Sequence, residues 1–221
     1  MILCVTPNAA IDRSLVVPGY ARGGVFRPSH SVIAAGGKGV NVARAVRILG
    51  GDALCMGFIG GHSGRHLLDL LAVESLPANF TVLESGETRT CIMLIDPALP
   101  DTTVINENGP TVSAQDWARL RAALLAHEEA STVCLCGSLP PGTPLESFIE
   151  TAQANITDGR ALWIDTSGAA LAAALHVEGA HVKVNADELG AAVGHAVDTP
   201  EALLAAADAV RQTTHGIVAV T

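Results

Sequence analysis

The chain is poor in aromatic residues, which make up only 3% of its 221 positions, and poor in charge, at 16%. Stacking platforms for nucleobases need aromatic faces, so single-strand nucleic-acid binding is disfavoured. Cationic residues are scarce as well. Thirteen Lys and Arg stand against 22 Asp and Glu, giving a net charge of −9 without a basic block. That balance disfavours a phosphate backbone or an anionic membrane as partner. No apolar run approaches the length of a membrane span. The opening MILCVTPNAAID has no basic n-region and reaches Pro7 and Asp12 too early for a secretory leader. Five cysteines, Cys4, Cys55, Cys91, Cys134 and Cys136, make an odd number in apolar, strand-like surroundings. They form no disulfide framework and read as buried thiols of a cytoplasmic protein. Cys134 and Cys136 have no second pair to complete a zinc site. The eight histidines show no metal-binding spacing, and no nucleophile elbow is present.

What is abundant is apolar character, 49% of residues, which excludes a disordered chain and supports one domain with a sizeable core. Short apolar runs alternate with helical periods. Ile2–Thr6, Ala53–Ile59, Thr132–Cys136, Ala161–Ile164, His181–Val184 and Ile217–Thr221 read as buried parallel strands. Helical patterns cover Val40–Leu49, Gly64–Glu74, Ala114–Ala126, Pro144–Asn155, Ala169–Leu175, Asp187–Val193 and Pro200–Gln212. Ser113 with Asp116 makes a capping-box start for the third of these. The alternation predicts an α/β fold, a mostly parallel central sheet with helices on both faces. Two segments, Arg13–Ile33 and Thr88–Asn106, break the rhythm; they are β-rich and contain no helix.

The hexapeptide GGKGVN, Gly36 to Asn41, stands where a strand-like run gives way to a helix. Gly36, Gly37 and Gly39 allow close approach of a ligand to the backbone. The helix that follows offers free N–H groups and a positive dipole end. Lys38 adds a mobile cation, and Asn41 adds two donors and an acceptor. A polar or anionic small molecule suits such a loop, and so does a plain strand-to-helix turn. A P-loop is excluded because Gly39, not Ser or Thr, follows Lys38; a dinucleotide fingerprint is excluded by Val42.

Four other positions carry potential chemistry. Asp12 follows the first strand and could bind a ligand at a sheet's carboxyl end, or make an Asx turn. Arg89 sits within a strand pattern, where its fork suits a phosphate, or it is a solvated edge charge. Ser138 follows a buried strand and either meets a ligand or caps a turn. Asn185 and Glu188 either line a site together or form a capping box, and the two readings are compatible.

TPNAAID (Thr6–Asp12), GGKGVNVARAVRILG (Gly36–Gly50), GETRTCIML (Gly86–Leu94), INENGP (Ile105–Pro110), CGSLPPG (Cys136–Gly142), DTSG (Asp165–Gly168) and KVNADE (Lys183–Glu188) occur in this order. Together they resemble the ribokinase/PfkB-type sugar kinases over the whole chain, closest to the 1-phosphofructokinase and tagatose-6-phosphate kinase branch. The resemblance implies a ribokinase-like fold in which segments at about 13–33 and 88–106 form a small β-sheet lid over the sugar, often a homodimer clasp. It implies ATP-dependent phosphorylation of a hexose phosphate, such as fructose 1-phosphate to the bisphosphate. Alternatives are a kinase of an unphosphorylated sugar or nucleoside, or a non-catalytic sugar-phosphate binder.

Carried over residue by residue, the resemblance gives Asp12 a grip on the sugar and Arg89 a grip on the substrate phosphate. Lys38 and Arg27 could also serve the phosphate, with Gly36, Gly37, Gly39, Asn41 and Ser138 completing the substrate site. Lys183 lies near the nucleotide phosphates, although Val184 stands where relatives usually have Pro. Asn185 and Glu188 organise Mg²⁺ and phosphate through water. The family continues beyond the position of Thr221 with a segment that carries the adenine pocket and a Gly-Ala-Gly-Asp loop. That loop supplies the catalytic base and does not occur here. The expectation is therefore one kinase domain over 1–221, C-terminally truncated, with its binding groups and no base of its own.

Overall fold

The computed structural model describes residues 1–221. Seven parallel strands form the main sheet: β1 (Ile2–Thr6), β4 (Ala53–Ile59), β5 (Ala78–Val82), β8 (Thr132–Cys136), β9 (Ala161–Asp165), β10 (Ala180–Val184) and β11 (Val218–Val220). Their order is β11-β10-β9-β8-β1-β4-β5, and every neighbouring pair is parallel. A second sheet, of order β3-β2-β6-β7, contains β2 (Ala10–Val16), β3 (His30–Gly36), β6 (Arg89–Ile95) and β7 (Thr102–Asn106). Here β2 pairs parallel with β6, while β3 and β7 run antiparallel on the edges. The helices are α1 (Lys38–Ile48), α2 (Gly61–Val73), α3 (Ala114–Leu125), α4 (Leu145–Thr157), α5 (Gly168–Ala174), α6 (Ala186–Val193) and α7 (Pro200–Thr214).

Period-two alternation sorts the central strands onto two cores. Leu3, Val5, Met56 and Phe58 face α3 and α4, around Trp117, Leu120, Leu124 and Phe148. Cys4, Cys55 and Ile59 face α1 and α2, against Val40, Ala43, Leu67 and Leu71. Trp117 is fully buried, edge-on to Phe58 at 5.1 Å and to Phe148 at 6.0 Å. A third cluster joins Val182 and Val184 of β10 to Leu189 of α6 and Val210 of α7. All five cysteines are free. Burial pushes the thiol of Cys4 up to about 12 and those of Cys55 and Cys134 to about 11, so they remain protonated and inert.

The fold is therefore the expected α/β architecture with a small mixed sheet, and it departs from the expectation in detail. The edge strand β5 was not anticipated: its sequence ANFTV, preceded by Pro77, is only half covered and shows no buried run. The first helix begins at Lys38, not Val40. Asp12 lies inside β2, opposite Ala34 and Cys91, so the Asx-turn alternative is excluded. The capping boxes at Ser113–Asp116 and Asn185–Glu188 are both closed. No helix is long and apolar enough to cross a membrane.

Candidate active site

A cavity of about 410 Å³ opens where the carboxyl ends of β1 and β8 meet the underside of the small sheet. Ligands of open α/β sheets bind at this end of the strands. A wider cleft of about 840 Å³ lies between α6 and α7, but its lining has acidic Asp187 and Asp198 and neither Lys nor Arg to receive an anion.

The start of α1 shapes the first cavity wall. Its N-cap is Gly37, with φ 113°, and no side chain of its own segment caps it. Thr6, at the end of β1, supplies the cap instead: its Oγ1 accepts from Val40 N–H at 3.1 Å. The glycines of the loop are required by packing. A Cβ on Gly39 would come within 2.5 Å of Thr6 Oγ1 and 2.7 Å of the Val5 carbonyl oxygen. A Cβ on Gly36 would fall on the Asp12 carboxylate. Gly37 lines the cavity, whereas Gly36 and Gly39 seat α1 and Asp12 around it.

Asp12 projects into the cavity from β2, half-buried, and its carboxylate accepts no hydrogen bond from any protein group. Burial raises its pKa above the ordinary carboxylate value, against the opposing charges of Arg44 and Arg89. Arg89, first residue of β6, also lines the cavity. Its Nε donates to the Asn8 carbonyl and its Nη1 to the Glu107 carbonyl, each at 3.2 Å. Those bonds orient the guanidinium without neutralising it, and no carboxylate pairs with it. Asn41 presents itself from α1, with its Oδ1 held by Arg44 Nη1 at 2.7 Å. Ser138, just past β8, accepts a long bond from Asn8 Nδ2 at 3.4 Å and lines the same wall.

The far end of the cavity is an ion network. Lys38 Nζ donates to Asp165 Oδ1 at 2.6 Å and lies 3.9 Å from Glu188 Oε1. Lys183 Nζ approaches Asp165 Oδ2 at 3.5 Å. Burial would lower the Lys38 pKa, but the bond to Asp165 and the Glu188 charge outweigh it and raise the pKa above the usual lysine value. Asn185 is the N-cap of α6: its Oδ1 accepts from Glu188 N–H at 2.7 Å, and Glu188 Oε2 accepts from Asn185 N–H at 3.0 Å. Glu188 lines the cavity and Asn185 does not. Arg27 is exposed on the β2–β3 connection, outside the cavity lining.

Sequence reasoning assigned no role to Thr6, Asn8, Arg44 or Asp165. Asp165 was in view within DTSG, yet its two lysine partners lie 127 and 18 positions away and no spacing rule links them. Asn8 is 5% exposed, and its Oδ1 is a buried side-chain oxygen without a hydrogen-bond partner. No group of three or more His, Cys, Asp or Glu side chains is arranged to hold a metal ion directly.

The chain is 34% identical over 99% of its length to a 1-phosphofructokinase of Rhodobacter capsulatus, covering 70% of that protein. It is 31% identical over 91% of its length to a 1-phosphofructokinase of Bacillus subtilis, covering 65% of it. It thus spans about two thirds of the length of these curated relatives. Among solved structures it superposes on phosphofructokinase-2 of Escherichia coli in complex with fructose-6-phosphate with a TM-score of 0.91 at 29% identity, over all of this chain and 73% of that one. The sequence model of the pfkB family carbohydrate kinases matches residues 3–221. With its parallel sheet, mixed second sheet and glycine-loop cavity, the chain belongs to the pfkB family of carbohydrate kinases.

Proposed function

We propose that these residues form the sugar-phosphate-binding part of an ATP-dependent kinase acting on a hexose phosphate such as fructose 1-phosphate. One observation carries the reading: a half-buried carboxylate without a protein donor, Asp12, shares a cavity with two cations, Arg89 and Lys38. An acceptor-only group kept without protein partners suits sugar hydroxyls, and the cations suit a phosphate. An unphosphorylated sugar or nucleoside would leave the Arg89 guanidinium without an anion, which makes that reading the weaker one. In this scheme Asn41 and Ser138 bind hydroxyls. Lys183 and Glu188 face the nucleotide phosphates, and Asn185 supports them as the cap of α6.

A direct metal cage does not fit these residues, since Asp165 is held by two lysines and Asn185 Oδ1 by a backbone N–H. An outer-sphere role does fit. Mg²⁺ keeps several waters and is carried largely by substrate phosphates. Glu188 is the carboxylate able to meet its waters. Phosphoryl transfer also needs a base and an anion site. No residue here is assigned either task, so these 221 residues are expected to bind sugar phosphate and to show at most trace turnover. The small sheet, as a lid spanning roughly 13–33 and 88–106, leaves Val32, Ile33, Val104 and Ile105 exposed and would serve as a homodimer clasp.

The test is calorimetric titration with fructose 1-phosphate, tagatose 6-phosphate and free fructose. Saturable binding of a sugar phosphate is expected, with fructose about tenfold weaker or more, the scale of losing a charge-assisted hydrogen bond. Equal affinity for fructose and its phosphate would remove the phosphate from the reading. Arg89→Ala should cost about 1.5–3 kcal/mol of sugar-phosphate affinity.

A further inference from the structure

Arg44 stands one turn along α1 from Asn41 and does not line the cavity. Its guanidinium is tied to three other places at once. Nε and Nη2 form a fork on the two carboxylate oxygens of Glu74, at the end of α2, with Nη2–Oε1 at 2.7 Å. Nη2 also donates to the Ala35 carbonyl of β3, and Nη1 donates to Asn41 Oδ1 at 2.7 Å. The Glu74 hydrogen bonds are the largest of the influences that raise the Arg44 pKa, so the cation is permanent.

A guanidinium has donors and no acceptor. It therefore distinguishes the two ends of the Asn41 amide. Flipping that amide would set an NH₂ group against an N–H donor. With Oδ1 committed to Arg44, the Nδ2 group is what remains, and it has no acceptor in the protein. Arg44 also sits close enough to Asp12 for its charge to favour the ionised carboxylate.

We infer that Arg44 is a positioning residue that locks the Asn41 amide as a pure donor facing a cavity whose Asp12 is a pure acceptor. Such a pair selects a hydroxyl-bearing ligand, since a hydroxyl can donate to the carboxylate and accept from the amide. The ligand's identity rests on the sugar-phosphate reading; the amide orientation does not.

Two measurements on the whole chain separate the parts. The first needs no ligand. The Asn41 side-chain ¹⁵N–¹H resonances, identified by their loss in Asn41→Ala, should move in Arg44→Lys, which keeps the charge and loses the fork. Unmoved resonances in a folded Arg44→Lys protein overturn the inference. The second is fructose 1-phosphate titration of Arg44→Lys, Asn41→Ala and the double variant. Arg44→Lys should weaken binding about tenfold, and the double variant should bind no worse than Asn41→Ala alone. Fully additive losses would mean that Arg44 acts on general stability rather than through Asn41, and also overturn it. If wild type binds no sugar phosphate, the functional reading falls, while the resonance experiment still decides the role of Arg44.

Discussion

At one end of the cavity Asp12 stands half-buried without a protein donor; at the other, Asp165 is held by Lys38 and Lys183. The neighbouring helices repeat the contrast. The start of α1 has no cap from its own segment and borrows Thr6 from β1, whereas the start of α6 is closed by the reciprocal bonds of Asn185 and Glu188. Both helices follow a strand and a short polar turn, so local sequence makes them look alike. The difference lies in which polar groups already have partners. Groups left without partners at the α1 end are available to a ligand, while those at the α6 end mainly hold the fold. Binding strength should therefore concentrate at the first end and stability at the second, except where packing around Thr6 makes the first end indispensable.

That exception gives the largest expected effect. Gly39→Ala would drive a Cβ into Thr6 Oγ1 and the Val5 carbonyl, both fixed by strand β1. Overpacking of this kind costs about 1–3 kcal/mol, and the upper end is expected because backbone cannot yield. Urea unfolding checks it; a loss below about 0.5 kcal/mol, the scatter of ordinary surface changes, would mean that the loop is more pliable than its contacts indicate.

The next effect separates two lysines that share one carboxylate. Lys38→Met should weaken fructose 1-phosphate binding by about 1.5–3 kcal/mol, while Lys183→Met should leave it nearly unchanged. Both ion pairs are partly exposed, so the stability change should stay within about 1 kcal/mol for each variant. Equal losses of sugar-phosphate affinity would erase the distinction between the two ends. Asn185→Ala then sharpens the other side. It removes an N-cap and should cost about 1 kcal/mol of stability with sugar-phosphate affinity intact. A large loss of that affinity without destabilisation would make Asn185 a substrate ligand and not a cap.

The same contrast explains what could be read from the chain. Parallel strands such as Ala53–Ile59 announce themselves because burial on both faces leaves an uninterrupted apolar run. Helices starting at Ser113 and Asn185 were legible because their caps close within three residues. Strand β5 was not, because an edge strand covered on one side carries no such run. The Asp165 ion network, the Thr6 cap and the Arg44 fork also lay beyond reach, because each joins residues 18 or more positions apart. Glycine codes ambiguously: Gly36 and Gly39 look like room for a ligand, yet the room is filled by Asp12 and Thr6. Asp12, Lys38, Arg89 and Ser138 do converge on one cavity, whereas Arg27 lies outside its lining.

The smallest effect is also the most discriminating, since one kind of substitution should act with opposite signs at the two ends. Burial raises the Asp12 pKa above 3.8, the value for a free carboxyl, despite Arg44 and Arg89. Between that value and the raised one, the folded state binds more protons than the unfolded state. Stability therefore falls as pH rises through this window and then levels off. Asp12→Asn removes the ionised group, so this part of the pH dependence should vanish. Near neutral pH the variant should be as stable as wild type or slightly more so, while losing sugar-phosphate binding. At the other end, Asp165→Asn takes away the anion between Lys38 and Lys183 and leaves two ammonium groups facing a neutral amide. That change should destabilise slightly, within about 1 kcal/mol, because both lysines remain partly solvated. Urea midpoints at neutral pH and near pH 4 measure both variants against wild type. If both substitutions shift stability in the same direction at neutral pH, the two carboxylates do not differ in the way their partners indicate, and Asp12 loses its claim to be a group kept unpaired for a ligand.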